Sequence, residues 1–264
     1  MRLLNPETDL DAFFSRVAGA PERVLFLDYD GTLAPFHPDP SLAVPYPFVP
    51  ARLKALTGDR ATRVVIVSGR PLGELRPLLE SVSHHEAWGA HGWEHHTAEA
   101  GMRRFEPEAA ALRQLTLAEA PARLLESEGA RVERKLASVA MHWRGLPEAQ
   151  ARELGERIVR AWKEIADANV ELLPFEGGME LRVRGRTKAH AVLEVLQRTS
   201  PDAACAYLGD DVTDEDAFNA IKDRGLAVLV GAELRRSAAD LWIRPPQELE
   251  RFLVRWADAA RDGP

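Results

Sequence analysis

Two carboxylates separated by one residue, Asp28 and Asp30, follow an apolar run in this chain of 264 residues. The run, residues 24–27, has the length and composition of a short buried strand. Charges at the end of a buried strand are costly unless they are paired or bind a metal ion. One carboxylate can attack phosphorus to form an aspartyl-phosphate, while a second protonates the leaving oxygen and then deprotonates water. We therefore interpret Asp28 as a nucleophile and Asp30 as a general acid and base.

The next two residues fit the same chemistry. Gly31 allows the backbone to turn and to approach a ligand closely, and the Thr32 hydroxyl with nearby amides can bind phosphate oxygens. The simpler alternative is a strand-end turn, because Asp and Gly are common turn residues. The polar motifs in the rest of the chain favour the chemical interpretation.

A second acidic segment, residues 209–215, follows another apolar run and contains four acidic side chains. In proteins Mg2+ is bound by one or two carboxylates together with phosphate oxygens and water. We predict that Asp210 binds Mg2+ with Asp28 and the backbone carbonyl of Asp30, and that Asp214 holds a metal-bound water. The alternative is an acidic cluster that caps a helix.

Two further polar residues are candidates for catalysis beside the phosphoryl group. Ser68 ends the apolar run 64–67 and precedes Gly69 and Arg70. A hydroxyl next to the amides of a helix N-terminus suits a phosphate group. Lys188 opens a predicted helix, and its ammonium can neutralise both the nucleophile and the transferring group. The alternatives are an ordinary N-cap serine and a solvent-exposed lysine.

The apolar runs must belong to one sheet if these side chains are to meet. None of the runs alternates polar and apolar residues, which is typical of parallel strands covered by helices on both faces. The four runs are residues 24–27, 64–67, 203–208 and 226–230. Ligands of such sheets bind at the carboxyl ends of the strands. We therefore predict an α/β protein with a Rossmann-like parallel-sheet core, in which Asp28, Ser68 and Asp210 line one crevice.

The middle of the chain has a different pattern. It predicts, in order, a helical stretch over 107–127 broken or kinked near Pro121, strands at 131–136 and 139–143, a helix from Pro147, and strands at 170–173 and 179–183. This order predicts an inserted α+β cap domain over residues 105–184, with residues 1–104 and 185–264 forming the core domain. The segment 35–50 holds six of the 18 prolines and is predicted to be an extended loop.

Composition excludes several classes of partner. The formal net charge of −7 argues against binding to nucleic acid or to an anionic membrane. No apolar run approaches the ~20 residues of a membrane span, and the first residues lack the apolar core of a secretory signal, so we expect a cytoplasmic protein. Five histidines lie between residues 84 and 96, but their spacing does not match a helical zinc motif.

Together these motifs resemble those of the haloacid dehalogenase-like phosphatases, and within them the trehalose 6-phosphate phosphatase family. The family resemblance is carried by residues 209–218, 68–70 and 89–94, and by Glu133, Lys135, His142, Arg144 and Glu180 ahead of Lys188. It implies a Rossmann-like core of haloacid dehalogenase type with a mobile cap. It also implies a Mg2+-dependent hydrolase that converts trehalose 6-phosphate, a small-molecule sugar phosphate, to trehalose and phosphate.

The resemblance implies roles for residues outside the core motifs as well. The substrate-binding set would be Thr32, Arg70, His91, Glu133, Lys135, Arg144 and Glu180, the last four bonding sugar hydroxyls. Their alternative is a solvated sheet face, because a spacing of two, as between Glu133 and Lys135, puts side chains on one face. The chain departs from the family at Thr187 and Ala189, where Asn and Gly are usual.

That departure leaves the sugar preference open. The nearest rival function is a phosphatase for sucrose phosphate or mannosylphosphoglycerate. Two others are a non-catalytic phosphosugar-binding protein and a phosphomutase that retains the phosphoryl group.

Overall fold

The computed structural model describes residues 1–37, 39–58, 62–175 and 177–261, which divide into two compact units. The core unit comprises Met1–Arg104 and the described part of Thr187–Pro264, and the insert unit comprises Phe105–Arg186. The insert unit ends at Arg186, and two contacts join its last residues to the rest of that unit. The Arg184 amide still donates to the Asn169 carbonyl at 2.7 Å, and the Arg186 guanidinium lies 3.5 Å from the centre of the Phe105 ring.

The elements follow one another along the chain with these bounds. The strands are β1 (Arg2–Leu3), β2 (Arg23–Leu27), β3 (Arg63–Val67), β4 (Glu86–Gly89), β5 (Glu94–Thr97), β6 (Gly101–Arg104), β7 (Arg131–Arg134), β8 (Ser138–His142), β9 (Val170–Phe175), β10 (Gly178–Val183), β11 (Ala204–Gly209), β12 (Gly225–Val230) and β13 (Leu241–Ile243). The α-helices are α1 (Leu10–Gly19), α2 (Val49–Thr57), α3 (Leu72–Leu78), α4 (Ala109–Leu124), α5 (Glu148–Ile165), α6 (Lys188–Leu196), α7 (Glu215–Ile221) and α8 (Gln247–Arg261).

The core unit is built on one sheet, whose described strands have the order β1-β13-β12-β11-β2-β3-β4-β5-β6. The strands from β13 to β4 run parallel, while β1, β5 and β6 pair antiparallel at the edges. The four apolar runs predicted as parallel strands are β2, β3, β11 and β12, which are neighbours in the sheet. The predicted α/β fold with a Rossmann-like core is therefore confirmed.

Burial on both faces explains why these strands are apolar throughout. Leu25 and Leu27 belong to the same buried cluster as residues of α1 and α8. On the other face Phe26 stacks on its β11 neighbour Tyr207, with ring centres 6.3 Å apart, and Tyr207 meets Phe218 of α7 edge-on. Because each such side chain gains about 1.5–3 kcal/mol by leaving water, neither face of β2 accommodates a charge over the buried residues 24–27.

The insert unit is a four-stranded antiparallel sheet, ordered β7-β8-β10-β9 over its described residues, with α4 and α5 packed together. Trp162 of α5 is buried and donates to the Ala118 carbonyl of α4 at 2.9 Å. Of the predicted break or kink near Pro121, the break does not occur: α4 continues to Leu124 before a 3-10 turn. Pro121 deprives the Leu117 carbonyl of its helical donor, and since Leu117 is exposed, water can replace that bond.

The proline-rich segment 35–50 is less extended than its composition indicates, and Pro38 lies outside the described residues. A 3-10 turn occupies Pro40–Leu42, and α2 begins at Val49 with Pro50 in its first turn. Proline is tolerated there because the first amides of a helix have no intrahelical acceptor. Among the helices described, none is both long and apolar enough to cross a membrane.

A buried charged cluster joins the neighbouring strands β3, β4 and β5 of the core sheet. The Glu86 carboxylate is 1% exposed. It accepts from Trp88 Nε1 at 2.7 Å and contacts His95 Nε2 at 2.8 Å, and it also pairs with the Arg63 guanidinium. The His95 ring stacks on Trp88 with centres 4.0 Å apart. Burial alone would raise the pKa of Glu86, but the His95 hydrogen bond and the Arg63 charge lower that pKa to about 2.

We expect Glu86→Gln to destabilise the protein by about 3 kcal/mol at pH 7, because a pKa lowered from 4.5 to about 2 corresponds to that free energy. Since the folded-state pKa is lowered, the stabilisation is present above pH 4.5 and is lost as the pH falls towards 2. The difference in unfolding free energy between wild type and variant, measured by urea denaturation, should shrink below pH 4.5. The control is Glu80→Gln at an exposed glutamate. A difference that is constant with pH would contradict the assignment.

Candidate active site

The loop after β2 places a buried carboxylate at the end of the sheet. Asp28 is 3% exposed, and its amide donates to the Leu208 carbonyl of β11 at 2.9 Å, which holds it in line with the neighbouring strand. Gly31 has φ +80°, and a Cβ atom there would lie 2.1 Å from Asp210 Oδ2. Glycine is therefore required for the two acidic segments to approach one another.

Lys188 bridges two of the carboxylates. Its Nζ donates to Asp28 Oδ1 and to Asp214 Oδ1, both at 2.7 Å, and the side chain is 3% exposed. Lys188 is the first residue of α6, whose N-cap Thr187 accepts from the Ala189 amide and donates its own amide to His190 Nδ1. Burial opposes the charge, but the carboxylates of Asp214 and Asp28 raise the pKa of Lys188, so the ammonium form is retained.

Asp214 is fully buried and accepts four hydrogen bonds. Besides Lys188, the Tyr207 hydroxyl donates to Oδ1 at 2.6 Å. The amides of Asp210 and Asp211 donate to Oδ2 at 3.1 and 3.0 Å. Each carboxylate oxygen thus has two donors, so Asp214 orients Lys188 and the acidic loop. The sequence-based role for Asp214, holding a metal-bound water, remains a prediction.

The acidic group carries more negative charge than its ammonium partner neutralises. Burial raises the pKa of Asp28 to about 7, with Lys188 opposing and Asp214 adding to the rise. Burial, with the charges of Asp28 and Asp214, also raises the pKa of Asp210 well above its ordinary value. With all three carboxylates ionised, one ammonium leaves a formal charge of −2, which a divalent cation would balance.

The geometry and chemistry of this group fit a magnesium ion. Asp28, Asp210 and Asp214 each offer an oxygen, and these atoms all lie within 4.8 Å of one another. Carboxylate oxygens are the hard ligands that Mg2+ prefers. Because Asp214 is already saturated with donors, Asp28 and Asp210 are the side chains left to hold the ion. The Thr32 hydroxyl is buried without a hydrogen-bond partner in the described protein, as expected for a group that binds a ligand.

Asp30 lies outside this group of carboxylates. Its two oxygens accept from Arg70 Nε at 2.6 Å and from Nη2 at 2.5 Å, and Arg70 Nη1 donates to the Pro40 carbonyl at 2.8 Å. Ser68 follows β3, is 1% exposed, and its hydroxyl accepts from the Arg70 amide at 3.1 Å. The metal role predicted for Asp30 therefore rests on its backbone carbonyl.

His91 packs against the loop that carries Ser68. A Cβ atom on Gly69 would lie 2.6 Å from the imidazole Cε1, so the ring covers that backbone directly. Ala90 and His91 have φ values of 49° and 54°, which L residues rarely adopt. Backbone hydrogen bonds to Arg70 and Ser68, at 2.7 and 3.1 Å, hold this conformation. The structure thus gives His91 a supporting position beside the loop, and its predicted contact with substrate stays a prediction.

Three of the four predicted sugar-binding residues, Glu133, Lys135 and Glu180, lie together on one face of the insert sheet. Glu133 and Glu180 occupy the same row, each paired in register with Ala140. Lys135 Nζ lies 3.8 Å from Glu133 and 3.7 Å from Glu180. Hydrogen bonds from Ser138 to Glu180 (2.6 Å) and between His142 and Glu133 (2.9 Å) complete the cluster.

Electrostatics distinguish this face from ordinary surface. Burial opposes ionisation, but His142 and Lys135 lower the pKa of Glu133 to about 2, and Glu180 is only 6% exposed. Arg144 is exposed in the turn after β8 and lies against Gly177. The alternative of a solvated face does not describe Glu180, whose buried carboxylate is fixed by its contacts with Ser138 and Lys135.

A family comparison covers the part of the chain that holds both sets of residues. The trehalose-phosphatase family model matches residues 26–240, which include every candidate site residue. The chain belongs to the trehalose-phosphatase family.

Curated relatives and solved structures agree with this membership. The trehalose-phosphate phosphatase of Mycolicibacterium paratuberculosis is 32% identical over 255 residues, which cover 90% of this chain and 63% of the relative. That of Mycobacterium marinum is 29% identical over 248 residues, or 90% of this chain and 62% of the relative. The chain thus spans less than two thirds of these relatives.

The C-terminal domain of C. albicans trehalose-6-phosphate phosphatase superposes with a TM-score of 0.78 at 20% identity, covering 99% of each chain. This likeness confirms the predicted α/β fold.

Two residues that contact candidate side chains, one in each unit, were not found by sequence reasoning. Tyr207 lies within an apolar run that was interpreted as core, and its single polar atom, the hydroxyl, was the only signal that it meets Asp214. Ser138 is the first residue of β8 and precedes the apolar residues 139–141. Nothing local indicated its bond to Glu180, which lies 42 residues away.

Proposed function

We propose that this chain is a Mg2+-dependent phosphatase that hydrolyses trehalose 6-phosphate to trehalose and phosphate through an aspartyl-phosphate at Asp28. The observation that carries the proposal is the buried contact of Lys188 with both Asp28 and Asp214 beside Asp210, in a chain of the trehalose-phosphatase family. A purely binding protein has no need for a buried nucleophile with an adjacent ammonium.

In this proposal Asp28 attacks phosphorus, and the bond between phosphorus and the sugar oxygen breaks. Asp30, protonated, gives its proton to the departing oxygen. Water then attacks the aspartyl-phosphate while Asp30 takes a proton, which releases phosphate and regenerates Asp28. Arg70, which now pairs with Asp30, would exchange this partner for substrate oxygens, freeing Asp30 for proton transfer.

The remaining core residues stabilise charge. Mg2+, held by Asp28, Asp210 and the Asp30 carbonyl, would supply positive charge against the phosphoryl oxygens. Lys188 adds a second, fixed positive charge on the nucleophile. Thr32 and Ser68 provide buried hydroxyls for phosphate oxygens, of which the Thr32 hydroxyl has no partner in the described protein.

The charged face of the insert unit would bind the sugar. Glu133, Lys135, Arg144 and Glu180 carry groups that each make several directed hydrogen bonds to hydroxyls. The insert unit would then act as the cap and set the substrate, while the core performs the phosphorus chemistry.

Phosphate release from a panel of substrates tests the proposal. The panel contains trehalose 6-phosphate, sucrose phosphate, mannosylphosphoglycerate and a small aryl phosphate, each assayed after EDTA treatment and after Mg2+ is restored. We expect fastest release from trehalose 6-phosphate and no release without Mg2+. Preference for another sugar phosphate, or full activity after chelation, would contradict the proposal. Isotope transfer from a bisphosphate would instead indicate a phosphomutase.

The cytoplasmic location also stays a prediction, to be tested by localising the full-length protein.

Replacing Glu180 by Ala should impair cleavage of the disaccharide phosphate far more than cleavage of the aryl phosphate. One lost charge-assisted hydrogen bond costs about 1.5–3 kcal/mol, or roughly tenfold to a hundredfold in kcat/KM. The control is Glu148→Ala, at an exposed glutamate of the same unit. The measurement is kcat/KM on both substrates, and equal losses on the two would show that Glu180 supports the fold rather than the sugar.

A further inference from the structure

The Arg235 side chain binds the acidic loop through its carbonyl oxygens. Nε donates to the Asp210 carbonyl at 3.0 Å, and Nη2 donates to the Asp211 carbonyl at 2.7 Å. Nη1 pairs with Glu215 and donates to the carbonyl of Arg236. All three guanidinium nitrogens are therefore engaged, although Arg235 follows β12 and is distant in sequence from the loop.

These bonds complement those made by Asp214. The amides of Asp210 and Asp211 donate to Asp214 Oδ2, whereas their carbonyls accept from Arg235. The peptide plane before the Asp210 Cα is fixed through its amide, and the plane after it is fixed through both its carbonyl and its amide. Because these two planes define the backbone of Asp210, they also fix the direction of its Cα–Cβ bond.

The loop that carries Arg235 is itself anchored. Glu215, in the first turn of α7, accepts from the Ala238 amide at 2.7 Å with the oxygen that does not face Arg235. The Arg235 and Glu215 side chains are only 28% and 24% exposed. The guanidinium thus has limited freedom to leave the Asp210 and Asp211 carbonyls.

We infer that Arg235 is a positioning residue for metal binding, which holds the Asp210 carboxylate where it shares a cation with Asp28. This inference rests on the proposed function, which assigns the metal to those two side chains. Arg235 could affect metal affinity through its charge or by positioning Asp210, and the two effects have opposite signs. The positive charge of Arg235 repels a cation, so its removal would strengthen metal binding if charge were its main effect. If Arg235 acts by position, its removal weakens metal binding.

Binding of Mn2+ to the full chain, followed by the EPR signal of free Mn2+, tests this inference. Mn2+ also takes carboxylate and water ligands. Arg235→Lys keeps the charge but replaces the planar fork by a single ammonium, and Arg235→Gln removes the charge. Arg236→Ala is the control, because Arg236 is adjacent and exposed. We expect the two Arg235 variants to lose about tenfold in Mn2+ affinity, with the control within about twofold of wild type.

Phosphate release supplies a second measurement. The Mg2+ concentration for half-maximal activity should rise in both Arg235 variants, while kcat at saturating Mg2+ stays close to that of wild type, because Arg235 touches no reacting atom. Wild-type affinity in Arg235→Lys, or tighter binding in Arg235→Gln, would overturn the inference. So would loss of folding in both variants, judged by circular dichroism, since Arg235 would then serve stability. If the wild type hydrolyses trehalose 6-phosphate and binds Mn2+, and the Arg235 variants bind Mn2+ as tightly, only the role of Arg235 is refuted. A wild type that does neither refutes the proposed function as well.

Discussion

Replacing Asp28 by Asn is expected to abolish turnover while the protein stays folded. An amide cannot form the acyl-phosphate on which the proposed mechanism depends. The substitution is nearly isosteric, and losses of packing are therefore small. The loss should exceed that of a missing charge-stabilising group, which is about 10²–10³-fold in kcat. The measurement is phosphate release from trehalose 6-phosphate, with circular dichroism as the test of folding.

A matched control makes the result specific. Asp223→Asn changes the same group at an exposed position of the core unit and should leave kcat within about twofold of wild type. Activity like that of wild type in pure Asp28→Asn protein would refute the nucleophile assignment. A phosphorylated wild-type intermediate that is absent from the variant would support it directly.

The second large effect is expected from Lys188→Met, which keeps the length of the side chain but removes the ammonium. Asp28 and Asp214 would lose the cation that bonds both at 2.7 Å, and the pKa of Asp28 would rise further above its ordinary range. The negative charge of the nucleophile and the charge on the phosphoryl group would both be less stabilised. We expect kcat to fall by at least about 10²–10³-fold, measured at saturating Mg2+.

The control for this variant is Lys222→Met, at an exposed lysine of the core unit. Lys188→Arg separates charge from shape, because a guanidinium restores the charge but not the compact ammonium between two carboxylates. Lys188→Arg should recover part of the lost activity and of the lost thermal stability. An unchanged kcat in Lys188→Met would show that the ammonium serves only to neutralise buried carboxylates.

Part of the core could be predicted because its signal is local. An uninterrupted apolar run is recognisable wherever a strand is covered on both faces, and β2, β3, β11 and β12 all have this pattern; the runs of β2 and β11 lead into acidic residues. Strands β4 and β5 were not predicted, because they contain Glu86, Glu94 and His95. These polar residues are buried only because they find partners in other elements, and such partners cannot be seen in a local pattern.

The same division applies to the site. Residue type and spacing singled out Asp28, Asp30 and Asp210, because carboxylates placed directly after buried strands indicate metal or proton-transfer chemistry. Lys188 became a candidate through the motifs around it and the family resemblance. The contact of Lys188 with Asp28 joins residues 160 positions apart, and the parallel sheet decides that they meet.

Tertiary structure alone decided which atoms each side chain binds. It paired Asp30 with Arg70 outside the carboxylate group, and it saturated Asp214 with four donors. It also set Arg235 against the carbonyls of the acidic loop. The physical reason is that a hydrogen bond depends on the position of both partners to within a few tenths of an ångström. Sequence specifies the groups available, whereas packing of distant elements fixes those positions.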